Sequence, residues 1–165
     1  MIKGVLLDIA GVLYDGDRPL PGSAEAVRRL RAAGLPIRCV TNSTRSPRSV
    51  IVKKLDSMGF EVAAEDVFTP AAAACDLLRE RGRATHLLIH PDLEEDFACL
   101  AETSGERSVV IGDAADGFTY AALNAAFREL TAGADLMALA CNRSFNDSDG
   151  ELSLDVGAFV AALEY

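Results

Sequence analysis

Two apolar runs in this chain each end on polar side chains able to do chemistry. "GVLL" ends on Asp8, and "PIRCV" ends on Thr41 and Asn42. Asp8 is followed closely by Ala10 and Gly11, which carry almost no side chain. Short residues let a backbone approach a ligand and aim N–H groups at it. A carboxylate, a hydroxyl, an amide and bare N–H groups around one point suit a phosphoryl group. The carboxylate is the expected nucleophile. The other groups are expected to hold phosphate oxygens as charge moves during transfer. Nucleophile and substrate are both negative, so a divalent cation is called for, and oxygen ligands suit Mg²⁺.

These side chains meet only if the two runs are neighbouring strands. "GVLLDI" is a leucine and β-branched run of the kind found in strands covered on both faces. "PGSAEAVRRLRAAG" reads as a helix with Ser23 as cap, Val27, Leu30 and Ala33 inward and Gly34 at the exit. "LPIRCV" is a second strand. "SPRSVIVKKLDSMG" reads as a second helix, with Ser46 as cap, Pro47 at the first helical position, Ile51, Leu55 and Met58 inward, and Gly59 at the exit. "TPAAAACDLLRERG" repeats the grammar with Thr69, Pro70 and Gly82. This alternation predicts βαβ units, a parallel sheet and right-handed crossovers. Ligands of such sheets sit outside the carboxyl ends of the strands, where Asp8, Thr41 and Asn42 are placed.

From about residue 84 the series restarts. "THLLIH", "SVVIG" and "LMALAC" are expected strands, with helices around residues 96–100 and 120–130 between them. "NRSFNDSDGELSL" is expected as an irregular loop turning at Asp149 and Gly150, and "VGAFVAALEY" as a final helix. The predicted organisation is two α/β units, residues 1–82 and 83–165.

At 165 residues, half of them apolar, the chain is long enough for a sizeable core. A formal net charge of −9 with no basic stripe argues against nucleic acid or an anionic membrane surface as partner. It leaves room for a small phosphorylated ligand. Cys39, Cys75, Cys99 and Cys141 lie far apart in apolar contexts, with no CxxC pair and no His nearby. They are expected to be buried, reduced thiols rather than a zinc site. No signal-peptide layout and no run of membrane-spanning length occurs, so the expectation is a soluble, cytoplasmic protein.

"LLDIAGVLYDG … LPGSAEAVRRLRAAGLPIRCVTNST" resembles the N-terminal part of the haloacid dehalogenase superfamily of phosphatases. The likeness is to the branch with a large α/β cap, which holds the NagD-like phosphatases and the phospholysine phosphohistidine inorganic pyrophosphate phosphatase group. It continues through "VVIGDAADGFTYAALNAAFRELTAGADLMALACN" and "LDVGAFVAALEY", and so covers the whole chain. The resemblance implies a Rossmann-like parallel-sheet core, incomplete here, with an inserted α/β cap. It implies that Asp8 attacks phosphorus to form an aspartyl-phosphate, and that Thr41, Asn42 and the backbone at Ile9 and Ala10 bind the phosphate. It also implies that Asp8 and the Ala10 carbonyl bind Mg²⁺.

Two departures stand against that pattern. The position of Ala10 is usually an Asp that works as general acid/base, and loss of such help costs about 10²- to 10⁴-fold in rate. A phosphate-pairing Lys and a Gly-Asp-Asp strand end, which follow later in the family, are absent. The expectation is therefore the first part of a longer enzyme, cut or broken, with an exposed apolar end that favours self-association. Two readings follow: a Mg²⁺-dependent phosphatase of small phosphorylated substrates, or a catalytically silent fragment that serves as a binding module.

Other candidates weigh less. Asp113 and Asp116 in "VVIGDAADG" imitate the family's acidic strand end, but no suitable Lys precedes them, and the stretch fits the cap. Asp15 and Asp17 read as loop solvation, His86 and His90 as structural or surface residues, and the 121–127 stretch as core or a cap contact. Arg143, Asn146 and Asp147 either face the crevice and select the substrate or belong to a solvated loop.

Overall fold

The structure is a computed structural model that describes residues 2–100, 104–146 and 150–165. Its first unit follows the strand–helix alternation. Strand β1 (Val5–Asp8) leads into a short hairpin, β2 (Tyr14–Asp15) and β3 (Arg18–Pro19). Helix α1 (Ser23–Ala32), strand β4 (Ile37–Val40), helix α2 (Arg48–Ser57) and strand β5 (Val67–Phe68) complete it. The sheet is parallel in the order β1-β4-β5. Alternate strand residues point to one face: Ile37, Cys39 and Val67 pack with Leu7 against Val27 of α1, Ile51 and Leu55 of α2, and Phe60. Burying each such large side chain contributes about 1.5–3 kcal/mol.

Opposite residues on this sheet are bare. Leu6 is 74% exposed and Phe68 52%. The expectation that β1 is covered on both faces therefore holds for one face among the described residues. Helix α3 (Pro70–Glu80), which follows β5, packs elsewhere.

The second unit continues with β6 (Ala84–Leu88), α4 (Glu94–Phe97), β7 (Arg107–Ile111), α5 (Tyr120–Thr131) and β8 (Asp135–Ala138). Strands β9 (Ser144–Asn146) and β10 (Leu152–Leu154) and helix α6 (Val156–Glu164) follow. One-turn 3₁₀ segments flank α4, at Pro91–Leu93 and Ala98–Leu100. Strands β6, β7 and β8 form a parallel sheet with β7 central. Its successive residues serve opposite faces. Val110 packs with Ala71, Cys75 and Leu78 of α3 and with Phe97, while Val109 and Ile111 pack against Ala126 of α5 and Val156 and Val160 of α6. Coverage on both sides explains the unbroken apolar run "VVI". Phe118 stacks on Phe159 of α6 at 3.8 Å between ring centres. By packing, α3 belongs with the second sheet, so a division after residue 82 separates the strands but cuts α3 from the side chains it covers.

Thr69 caps α3 as expected, its hydroxyl accepting from the Ala72 N–H at 3.1 Å, with Pro70 at the first helical position. Ser23 is not a cap. It is the first residue of α1 after Gly22, and its hydroxyl donates to the Leu13 and Leu20 carbonyls. Ser46 is not a cap either. Helix α2 begins one residue later than expected, with Pro47 at the cap position and no side-chain bond from its own cap residue. A distant carboxylate does that work: Asp96 of α4 accepts from the Arg48 N–H at 3.1 Å. Within residues 142–154, expected as an irregular loop, the described residues of β9 and β10 pair antiparallel, with Ser153 opposite Phe145. Asp149, expected in the turn, lies outside the described residues. Cys39 and Cys75 are buried as expected, but Cys99 and Cys141 are exposed.

Candidate active site

Sheet register brings the predicted groups together. Asp8 lies directly opposite Val40, and Val40 opposite Phe68. The chain leaves β4 into Thr41 and Asn42, so the Asp8 carboxylate and these two residues share the carboxyl edge of adjacent strands. The Thr41 N–H donates to the Phe68 carbonyl at 3.1 Å, which carries the parallel pairing one step past β4. The Thr41 hydroxyl accepts from the Ser43 N–H at 3.1 Å and folds the following loop into a tight turn. Thr41 is half-buried; Asn42 is exposed, its amide without a partner among the described residues.

The loop after Asp8 is held by its neighbours. Ile9 is buried, and its N–H donates to the Val40 carbonyl at 3.2 Å and to Asp8 Oδ1 at 2.8 Å. That N–H is thus turned to the strand and to the carboxylate. The Ile9 carbonyl accepts from the Leu13 N–H at 2.9 Å, and the Gly11 N–H donates to Tyr14 at 2.8 Å, closing a tight loop. Gly11 sits at φ 75°, where a side chain is strained, which is why glycine stands there. Ala10 lies at the loop's exposed tip, and neither its N–H nor its carbonyl takes part in a backbone hydrogen bond among the described residues. Asp8 Oδ2 has no partner among the described residues.

The two units meet at this edge. The loop after Asn42 carries Thr44, buried at 8% exposure, whose hydroxyl accepts from the Asp113 N–H at 3.4 Å. Arg45 Nε lies 3.1 Å from Asp113 Oδ2, and Asp113 Oδ1 accepts from the Ala115 N–H at 2.9 Å. A Cβ on Gly112 would lie 3.6 Å from the Thr44 carbonyl and 3.0 Å from Leu139. Both carboxylate oxygens of Asp113 are thus engaged within the protein, and Asp116 is exposed on a 3₁₀ turn. Arg45 and Thr44 were not singled out from the sequence, because a contact across 69 positions leaves no local signal.

The lesser candidates have local roles or lie at the surface. Asp17 pairs with Lys54 at 2.9 Å, and that hydrogen bond holds its carboxyl below the usual range. His90 Nδ1 accepts from the Asp92 N–H at 3.2 Å and caps the 3₁₀ turn before α4, while His86 is half-buried on β6. Among the described residues no group of three or more His, Cys, Asp or Glu side chains could hold a metal. Arg143 and Asn146 are exposed on and beside β9, and Asp147 lies outside the described residues. Ala126 is core, whereas Tyr120 and Phe127 at either side of it are exposed. No helix among the described residues is long and apolar enough to cross a membrane.

A parallel sheet with a carboxylate, a hydroxyl and an amide on one carboxyl edge, after a glycine-bearing loop, is a recognisable arrangement, and comparison with known proteins names it. The chain belongs to the haloacid dehalogenase-like hydrolases, whose family profile matches residues 5–104. It is 46% identical over 171 aligned positions to the phospholysine phosphohistidine inorganic pyrophosphate phosphatase of Danio rerio, an alignment covering 99% of this chain and 62% of that protein. Its fold matches a 4-nitrophenylphosphatase from Thermotoga maritima with a TM-score of 0.85 at 28% identity, covering 99% of this chain and 64% of the other. It also matches a glycerol phosphate phosphatase from Mycobacterium tuberculosis, solved in complex with calcium, with a TM-score of 0.78 at 25% identity, covering 96% and 49%. The α/β, parallel-sheet haloacid dehalogenase expectation therefore holds. The chain spans about three-fifths of the length of the Danio rerio relative.

Proposed function

We propose that the protein is a Mg²⁺-dependent phosphatase that hydrolyses a small phosphorylated substrate through an aspartyl-phosphate on Asp8. The observation that carries this reading is the strand register that sets Asp8 beside Thr41 and Asn42 at one sheet edge, in a chain of this family.

The residues present fit a hard cation. Asp8 Oδ2 and the Ala10 carbonyl are oxygen donors without partners among the described residues, on a tight exposed loop. Mg²⁺ is commonly held by one or two carboxylates, with water and substrate phosphate completing its six positions. When bound it would neutralise the charge shared by carboxylate and phosphoryl group. The chain's own groups do the rest. Asp8 attacks phosphorus, and the ester oxygen leaves with the bonding pair. Thr41 and Asn42 hold the equatorial oxygens, and the Ala10 N–H is the free backbone donor of the loop. Ile9, whose N–H is already turned to Asp8 Oδ1, orients the nucleophile. Water then attacks the acyl-phosphate, releases phosphate and restores Asp8. Ala10 has no proton to give, so solvent protonates the leaving group. Residues 83–165 serve as the cap, docked on the core through Thr44 and the Arg45–Asp113 pair.

Ala10 is also the observation that favours the second reading, a silent module that binds a phosphorylated ligand without turning it over. Initial rates on 4-nitrophenyl phosphate with and without Mg²⁺, for the parent and Asp8→Asn, separate the two. The phosphatase reading expects Mg²⁺-dependent release that Asp8→Asn abolishes. Release that is equal in both proteins refutes the nucleophile.

A further inference from the structure

A second group of reactive side chains lies away from the sheet edge, in a cleft of about 240 Å³ between α3 and the segment around α4. Cys75 comes from the buried side of α3, and Cys99 from the 3₁₀ turn that follows α4. Both thiols converge on one acceptor. Cys75 Sγ donates to the Asp96 carbonyl at 3.0 Å, and Cys99 Sγ lies 3.9 Å from the same oxygen. Arg79 stands four positions after Cys75, one helical turn along the same face. Its Nη2 donates to Cys99 Sγ at 3.0 Å, and its Nη1 is held by Asp76 at 2.9 Å.

The two sulfurs are not equivalent. Cys99 is exposed and accepts a hydrogen bond from a fixed cation; Cys75 is buried. Burial, and the Cys99 sulfur beside it, push the Cys75 thiol up to about 12. Contact with Cys99 and Asp76 holds the Arg79 guanidinium firmly in its charged form. An exposed sulfur against a cation, with a protonated thiol at its back, has the layout of an attacking and a resolving cysteine. The proposed phosphatase chemistry uses neither.

We propose that Cys75 and Cys99 form a redox-modification site at which a hydroperoxide oxidises Cys99 and Cys75 resolves the product to a disulfide. In the first step the Cys99 sulfur attacks the peroxide oxygen. The O–O bond breaks, Cys99 becomes a sulfenic acid, and the peroxide leaves as water or an alcohol after taking up a proton. In the second step Cys75 sulfur attacks Cys99 sulfur, the S–O bond breaks, and the hydroxyl departs as water with the Cys75 proton. Two thiols lose two electrons and the peroxide gains them. The product ties α3 to the turn after α4 and removes the Cys75 donor from the Asp96 carbonyl. Asp96 is also the residue that caps α2, so the oxidised state changes the support of the helix entered from the Thr41–Asn42 loop.

Cys141 is the internal control, because it is exposed and, among the described residues, no guanidinium is hydrogen-bonded to it. The test is hydrogen peroxide titration of the whole protein, followed by intact mass and by mapping of linked peptides. Expected is a loss of about 2 Da with a single Cys75–Cys99 link, while the free thiols fall from four to two. Cys75→Ser should instead gain about 16 Da or multiples of it on Cys99. Brief alkylation should label Cys99 about tenfold faster than Cys141, and Arg79→Gln should slow Cys99 alone. Equal labelling of Cys99 and Cys141, or a peroxide product without the Cys75–Cys99 link, overturns the proposal.

Discussion

Removing the Asp96 carboxylate tests how the two units are joined, because this group caps a helix in the other unit. The Arg48 N–H is one of the donors left open at the start of α2, and Pro47 at the cap position offers it no side chain. Asp96 Oδ2 and Oδ1 accept from it at 3.1 and 3.4 Å. Loss of a side-chain cap costs about 0.5–2 kcal/mol. The carboxylate is partly desolvated, and burial is the largest cause that lifts its carboxyl above the ordinary 3.8, outweighing the Arg48 bond. Charge at this site therefore gives back part of what the cap contributes. We expect Asp96→Ala to lose about 1 kcal/mol at neutral pH, toward the middle of the cap range. That is about 2–4 °C in Tm for a chain of this size. Asp96→Asn keeps an acceptor oxygen and drops the charge, so it should lose less than half as much. The pH dependence has a fixed sign. A raised carboxyl binds its proton more tightly in the folded state, so its stabilising contribution is present below 3.8 and is lost as pH rises through the elevated value. Asp96→Asn should thus gain on the parent as pH rises through that window. Urea denaturation and thermal melts from below pH 3.8 up to neutral pH read all three effects. The reasoning fails if Asp96→Ala melts with the parent, or if Asp96→Asn is as unstable as Asp96→Ala.

Two further predictions concern the sheet edge and the bare face beside it. Ala10→Asp places a proton-transferring carboxyl at the exposed loop tip and should raise kcat for 4-nitrophenyl phosphate by about 10²- to 10⁴-fold, read from initial rates; an unchanged kcat argues for the silent module. Leu6 and Phe68 leave apolar surface uncovered on the first sheet. Sedimentation velocity should show self-association that weakens when both become Lys, and a parent that stays monomeric at high concentration would contradict this.

What was legible from the sequence follows the range of the interactions. Asp8, Thr41 and Asn42 were readable as a group because each ends a short apolar run, and the βαβ pattern makes those runs neighbours. The Thr69–Pro70 start of α3 was readable because hydroxyl and N–H lie three residues apart. Ser46 misled for the opposite reason: a local hydroxyl looked sufficient, but the donor is met by a carboxylate 48 positions away. The Arg45–Asp113 pair was invisible on the same ground. The β9–β10 pair was read as a loop because strands of three residues, "SFN" and "LSL", are too short to show a period. The run that holds Leu6 looks like a strand covered on both faces, but α3, the helix that follows β5, packs on the other sheet.

The central claim is that Asp8 takes the phosphoryl group itself. The most direct measurement is to incubate the protein with 4-nitrophenyl phosphate and Mg²⁺, quench in acid, and reduce with borohydride. Peptide mass spectrometry then finds the residue that was phosphorylated. The account predicts homoserine at position 8, Mg²⁺-dependent and missing in Asp8→Asn. An acyl-phosphate trapped at any other carboxylate, or Mg²⁺-dependent turnover that persists in Asp8→Asn, would contradict it.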